Sequence, residues 1–292
     1  MKNKNYLLLF FMMVLVIFSE NVNSQDILTD EKQEKDNRPI NPPFDAGILI
    51  DNQTVVVPSA NTLEFMIQHR FGTINSNTFD LAGLYAPSNI RIGLSYSLTD
   101  YLQVGLGSTK NNKLQDVNWK LRILRQTRSN RIPVAVTYYG NVETSVRENE
   151  NFGLEYAFAH RLSYFHQLIV ARKINMRLSV QASIQFTHFN LVDTIAFPGL
   201  QHNNLGVSLN GKYKITPQLG VIFAYDMPLT TPEIIKPNAN LGIEISTLGH
   251  SFQIFLGSYS KISPQSNMTL NMNDFTKMDI LLGFNINRLW KF

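Results

Sequence analysis

Asp279-Ile280-Leu281-Leu282-Gly283-Phe284-Asn285-Ile286-Asn287-Arg288-Leu289-Trp290-Lys291-Phe292 puts Ile280, Leu282, Phe284, Ile286, Arg288, Trp290 and Phe292 on one face of an extended chain. Six of those seven are apolar, and this period of two is the signature of a strand with one greasy and one polar side. Arg288 interrupts the apolar face. Its long stem lets the charge reach water from the edge of an apolar layer, so the position fits an interface.

The same period recurs upstream. Leu63, Phe65, Ile67, His69 and Phe71 alternate with Glu64, Met66, Gln68 and Arg70, and Ile90 to Leu98 alternate with Arg91, Gly93, Ser95 and Ser97. Runs at 102–106, 117–123, 134–138, 162–170, 178–186, 205–213, 219–225, 241–245 and 252–256 bring the expectation to twelve strands. Tight turns are expected between strands two and three, four and five, six and seven, eight and nine, and ten and eleven. Longer segments near 73–88, 145–158, 191–203, 227–239 and 261–277 join most of the others.

Short turns at one end and long loops at the other are how outer-membrane barrels are built, with strands of roughly nine or more residues tilted across the bilayer. After Ser24 no apolar stretch approaches helix-spanning length. A chain in lipid without such helices must pair its backbone groups in a closed barrel. The expected fold is therefore all-β, a transmembrane antiparallel up-and-down barrel of about 12 strands, with a short N-terminal segment and both termini on the short-turn, periplasmic side. A soluble sandwich or lipocalin-type barrel also alternates, with the apolar face turned inward. In the membrane reading, Phe284, Ile286, Trp290 and Phe292 form the C-terminal signal recognised by the barrel-assembly machinery, and the partners are that machinery and outer-membrane lipid. Phe71, Tyr96, Tyr138, Tyr164, Phe186, Tyr213, Tyr225, Phe252 and Trp290 are candidates for aromatic girdles.

The chain's 44% hydrophobic and 11% aromatic content suits one large folded β domain and excludes disorder. No cysteine is present, which excludes disulfide frameworks, thiolate metal sites and catalytic thiols. Lys2 and Lys4 precede a 13-residue apolar run from Tyr6 to Phe18, and Val22-Asn23-Ser24 offers a small-residue cleavage site. Residues 1–24 thus read as a secretory signal peptide, the run being too short for a comfortable membrane anchor. Without the leader the net charge is about +3 and dispersed, which argues against nucleic acid as a partner. Residues 25–60, with Pro39, Pro42 and Pro43, form a linker or a plug segment, in which Ile48-Leu49-Ile50 and Val55-Val56-Val57 are apolar. Residues 61–292 form the barrel.

Thr62-Leu63-Glu64-Phe65, Ile67-Gln68-His69-Arg70-Phe71-Gly72, Leu81-Ala82-Gly83-Leu84, Ser88-Asn89-Ile90-Arg91-Ile92-Gly93, Lys110-Asn111-Asn112-Lys113, Asp279-Ile280-Leu281-Leu282-Gly283-Phe284 and Arg288-Leu289-Trp290 carry a resemblance over roughly residues 45 to 292. On these motifs the chain resembles an outer-membrane β-barrel family of Bacteroidota-type bacteria that has no assigned activity. The resemblance implies such a barrel and little about its role.

The face opposite the apolar one holds Glu64, Arg70, Arg91, Asp116, Lys120, Arg122 and Arg161 as candidates for the lumen, with Lys212 and Glu244 also on that side. Five cations against Glu64 and Asp116 suggest a net positive lumen that favours anionic solutes, as basic rings do in anion pores. An internal ion-pair network that fills a narrow barrel explains the same charges, since barrels of about eight strands are filled and open channels appear near sixteen. His69, His160, His166, His188, His202 and His250 lack metal-ligand spacing, and no cofactor or catalytic residue is indicated. The leading reading is a narrow pore or channel for small solutes. A scaffold barrel of a surface complex and an intramembrane hydrolase, with a Ser, His and acid or amide converging from different strands, are the alternatives.

Overall fold

The computed structural model describes residues 36–74, 80–153 and 155–292. The leader expected at 1–24 and the first part of the 25–60 segment lie outside the described residues.

Twelve antiparallel strands close into one barrel. Two short strands, β1 (Ile48–Leu49) and β2 (Asn52–Gln53), pair only with each other. The barrel strands are β3 (Thr62–Thr73), β4 (Asn89–Ser97), β5 (Leu102–Thr109), β6 (Leu114–Leu124), β7 (Ala135–Ser145) and β8 (Leu162–Lys173), followed by β9 (Leu178–Phe189), β10 (Asn203–Lys214), β11 (Leu219–Pro228), β12 (Asn238–Thr247), β13 (His250–Gly257) and β14 (Leu281–Lys291). Each pairs with its sequence neighbours, and β14 returns to β3, with Ile286 opposite Ile67. A closed barrel leaves no unpaired edge. All twelve strands fall where the period of two expects them.

The side chains settle which face is inside. Along β3, Thr62, Glu64, Met66, Gln68 and Arg70 are buried, whereas Leu63, Phe65, Ile67 and His69 are only partly covered. Elsewhere Ile92, Leu106, Val117, Ile243 and Ile254 lie 43–61% exposed on the outer surface. Monomers in water rarely expose apolar patches beyond a few hundred Å². The burial is therefore inverted relative to a soluble barrel, and the sandwich or lipocalin reading falls away. On that outer surface Gly140 lies beneath the Trp119 indole and Gly211 beneath the Phe223 ring; a Cβ at either would meet the ring at 2.3 Å, so only glycine admits these aromatics. Near the short-turn end Arg288 stands 5.2 Å from the Trp290 ring.

One connection differs from expectation. The one between β6 and β7, expected as a tight turn, spans residues 125–134. It binds the N-terminal segment through a Pro39–Thr127 bridge and the Ile40 N–H to Gln126 carbonyl bond, 3.0 Å. On the long-loop side, β5 and β6 are joined by only Lys110–Lys113, folded as a single 3₁₀ turn at Asn111–Lys113.

The lumen is occupied. From the short-turn end, residues 44–57 run inside the barrel, where Phe44, Leu49, Ile50, Val55 and Val57 are at most 4% exposed. From the long-loop end, the segment after β13 turns inward and forms the helix α1 (Pro264–Leu270), capped by the Ser263 side chain, with Gln265 to Thr269 buried. Phe44, Leu49, Ile50 and Val55 pack with inward-facing Tyr139, Phe165, Ile169, Ile222 and Phe255 in an apolar core at the centre of the barrel.

Candidate lumen site

The β1–β2 hairpin turns at Ile50-Asp51, and Ile50 adopts φ 58°. A β-branched residue in the left-handed region is strained by roughly 1–3 kcal/mol and persists only where its surroundings over-determine it. Here the wall grips it. The Gln253 amide oxygen accepts from Ile50 N–H at 2.9 Å, and the Ile50 carbonyl accepts from the Asn285 side chain at 2.7 Å.

Arg70, fully buried on β3, is the centre of this grip. Its guanidinium donates to Asp51 at 2.9 Å, to Asn285 Oδ1 at 3.0 Å and to the His69 carbonyl at 2.8 Å, and lies 4.5 Å over the Phe255 ring. Lys120 donates to the Gly47 carbonyl at 2.8 Å and the Val56 carbonyl at 3.3 Å. Arg122, half-buried near the short-turn mouth, donates to the Asp100 carbonyl at 2.6 Å and to the Val57 carbonyl. Three of the expected lumen cations thus bind the threaded segment itself, each through at least one of its carbonyls, Arg70 reaching that of Ile50 at 3.4 Å. Glu64 accepts from Gln103 and Asn287. Arg91 and Asp116 form a two-point pair at 2.9 and 2.7 Å, with Asn118 and Asn141 also donating to Asp116.

Arg161 is not on the wall. It ends the 3₁₀ turn Phe158–Arg161 at the long-loop mouth and donates to Tyr156 Oη, the Ser145 carbonyl and the Arg147 carbonyl at 2.6–2.7 Å. The alternation that placed it inward begins only at Leu162.

The expectation of a positive lumen also needs correction. Buried wall charges comprise Arg70, Arg91, Lys120 and Lys212 against Glu64, Asp116, Glu143, Asp226 and Glu244. The threaded segment adds Asp51 and Asp45. Glu143 and Asp226 were missed because the apolar faces used to set the register stopped short of them, at Tyr138 and Tyr225. Lys212 pairs with Glu244 on the wall and with Asp45 on the segment, and Lys214 reaches Asp45 at 2.9 Å. Burial raises the Asp45 carboxyl, but the charges and hydrogen bonds of Lys212 and Lys214 outweigh it and hold the group below the usual carboxylate range. A signal for the filling was present: Phe165, Ile169, Ile222 and Ala224 make the inner faces of β8 and β11 apolar, which an open aqueous lumen does not require.

A cavity of about 580 Å³ opens at the long-loop mouth and one of about 670 Å³ at the short-turn mouth. Along the threaded segment between them, cavities measure about 10 and 20 Å³. Those are spaces for single waters. Among the described residues no group of three or more His, Asp or Glu side chains converges as a metal site.

The family model described as "Membrane bound beta barrel domain (DUF5777)" matches residues 44–290. Among solved structures, the fold is similar to the KdgM porin, at 7% identity and TM-score 0.46, over 79% of this chain and 99% of that one. It is similar to the NanC porin, at 8% identity and TM-score 0.47, with the same two coverages. The COG4313 outer membrane channel from Pseudomonas putida F1 shares 11% identity at TM-score 0.48, over 80% of this chain and 97% of that chain. No curated protein matches the sequence.

Proposed function

The chain belongs to the family of membrane-bound β-barrel domains (DUF5777), and from that premise we propose that it is an outer-membrane barrel acting as a narrow solute channel, closed by residues 44–57 and opened when they withdraw. The observation that carries this reading is how the lumen is filled. A twelve-stranded barrel is wider than its own side chains fill, and the space is taken by a segment continuous with the N-terminus and held largely by hydrogen bonds to its backbone. Such a segment can leave without unpairing a single barrel strand. Behind it much of the wall is polar outside the apolar patch on β8 and β11, with Gln68, Gln103, Gln167, Gln181, Gln185, Asn210 and Gln253 all inward and buried. In this reading residues 1–24 direct export, both termini are periplasmic, Phe284, Ile286, Trp290 and Phe292 engage the assembly machinery, and the reaction chemistry of an enzyme is not involved.

Planar-bilayer recording tests it. Residues 25–292 should give rare, small steps, and deletion of 36–58 should give frequent, larger ones. Because cations and carboxylates on the wall nearly balance, potassium and chloride should then permeate about equally. The anion preference expected from Arg70, Arg91, Lys120, Arg122 and Arg161 alone should be absent. A deleted chain that folds into vesicles yet never conducts would favour the scaffold reading, which the apolar core at the centre of the lumen supports.

A further inference from the structure

Where the tip of the β1–β2 hairpin meets β11 and the inward loop after β13, Asp51, Asp226 and Tyr259 line one small space of about 10 Å³. Each comes from a different part of the molecule: the threaded segment, the wall and the loop leading to α1. Asp51 uses Oδ1 for Arg70 and for Asn267, at 2.9 and 3.3 Å, while its Oδ2 is buried with no partner. The Tyr259 hydroxyl, on a residue 3% exposed, also has no partner. Asp226, 1% exposed, accepts from Asn52 at 2.7 Å and from Asn238 at 3.1 Å and makes no ion pair among the described residues.

The charges do not balance here. Arg70 offsets Asp51, and among the described residues no cation pairs with Asp226. A carboxylate in a low-dielectric interior without a counter-charge is strongly disfavoured. A water molecule in the space would satisfy the hydroxyl and Asp51 Oδ2 but would leave the charge. The Tyr259 hydroxyl oxygen has a lone pair to offer there. The donors are all oxygen, which selects hard cations over transition metals. We propose that this space holds one hard cation, sodium or calcium, ligated by Asp51 Oδ2, Asp226 and Tyr259 Oη, which ties the threaded segment to the wall and to the inward loop. The site requires the segment to be docked and is independent of whether the barrel conducts.

Thermal unfolding of detergent-refolded residues 25–292, prepared free of both ions, provides the test, with calorimetric titration of calcium chloride alongside. Sodium chloride or calcium chloride should raise the unfolding midpoint relative to choline chloride at equal ionic strength, and the salt that does so identifies the ion. Asp226→Asn, which removes the excess charge at constant shape, should no longer respond to either ion. Tyr259→Phe should weaken the response severalfold, and it serves as the test if Asp226→Asn does not refold. A natural chain that responds to neither ion beyond choline would overturn the proposal, as would an Asp226→Asn chain that responds like its parent. Either result would leave a proton or a water as the occupant.

Discussion

Arg70 is the side chain whose loss should cost most. It is wholly buried, and the carboxylate it pairs with, Asp51, is 2% exposed. Removing one partner of a buried pair leaves an uncompensated charge, at about 3–5 kcal/mol, whereas removing both is far milder. Arg70→Met should therefore lower stability to urea by about that amount, and Asp51→Asn in the same background should restore a large share of it. A double-mutant cycle on detergent-refolded protein measures this. Simple additivity of the two losses would show that the pair does not act as a unit. The sequence led to Arg70 because Phe65, Ile67 and His69 fix its face, but not to Asp51. Nothing in Gly47-Ile48-Leu49-Ile50-Asp51-Asn52 announces a two-residue turn around a left-handed isoleucine. That turn exists because Gln253, Asn285 and Arg70, 20 to 235 residues away, hold it.

At the level of elements, strands were legible and insertions were not. A strand in this barrel carries its own instruction, since lipid on one side and polar contacts on the other impose the period of two. Residues 44–57 and α1 carry no such pattern, because both lie inside the barrel and take their contacts from several strands rather than from one flat face. What retains the N-terminal insert near its entrance is the Asp45 carboxylate between Lys212 and Lys214. Because the docked carboxyl titrates below its ordinary value of 3.8, its contribution to docking is complete above that value. It is lost as the pH falls through the lower, docked value. Asp45→Asn reproduces the acid end at neutral pH. The chain has no cysteine, so Thr54→Cys, in a fully buried position of the insert, gives a single reporter. Thiol labelling at neutral pH should be severalfold faster with Asp45→Asn than with Asp45. Equal rates would mean that this ion cluster does not retain the insert.

For the molecule as a whole, the period of two and the alternation of connections point to a closed barrel but leave open which medium touches the outer face. Inverted burial answers that, and it has an energetic consequence that varies with height on the barrel. Ile254 lies mid-strand on β13, 50% exposed, opposite Ile243 on one side and Phe284 on the other. Leu248 sits in the Leu248-Gly249 turn at the short-turn end, fully exposed. In water, arginine at either site would change stability by about 0.5 kcal/mol or less, as surface substitutions do. In lipid the two sites separate. Arginine near the bilayer midplane costs about 2–4 kcal/mol and near an interface about 0–1 kcal/mol. Ile254→Arg should therefore destabilise the vesicle-inserted barrel by several times more than Leu248→Arg, measured as reversible urea unfolding from lipid vesicles. Matching small effects at both positions would mean that no hydrocarbon layer surrounds β13, and the outer Ile, Leu and Phe belt would then need a protein partner to cover it.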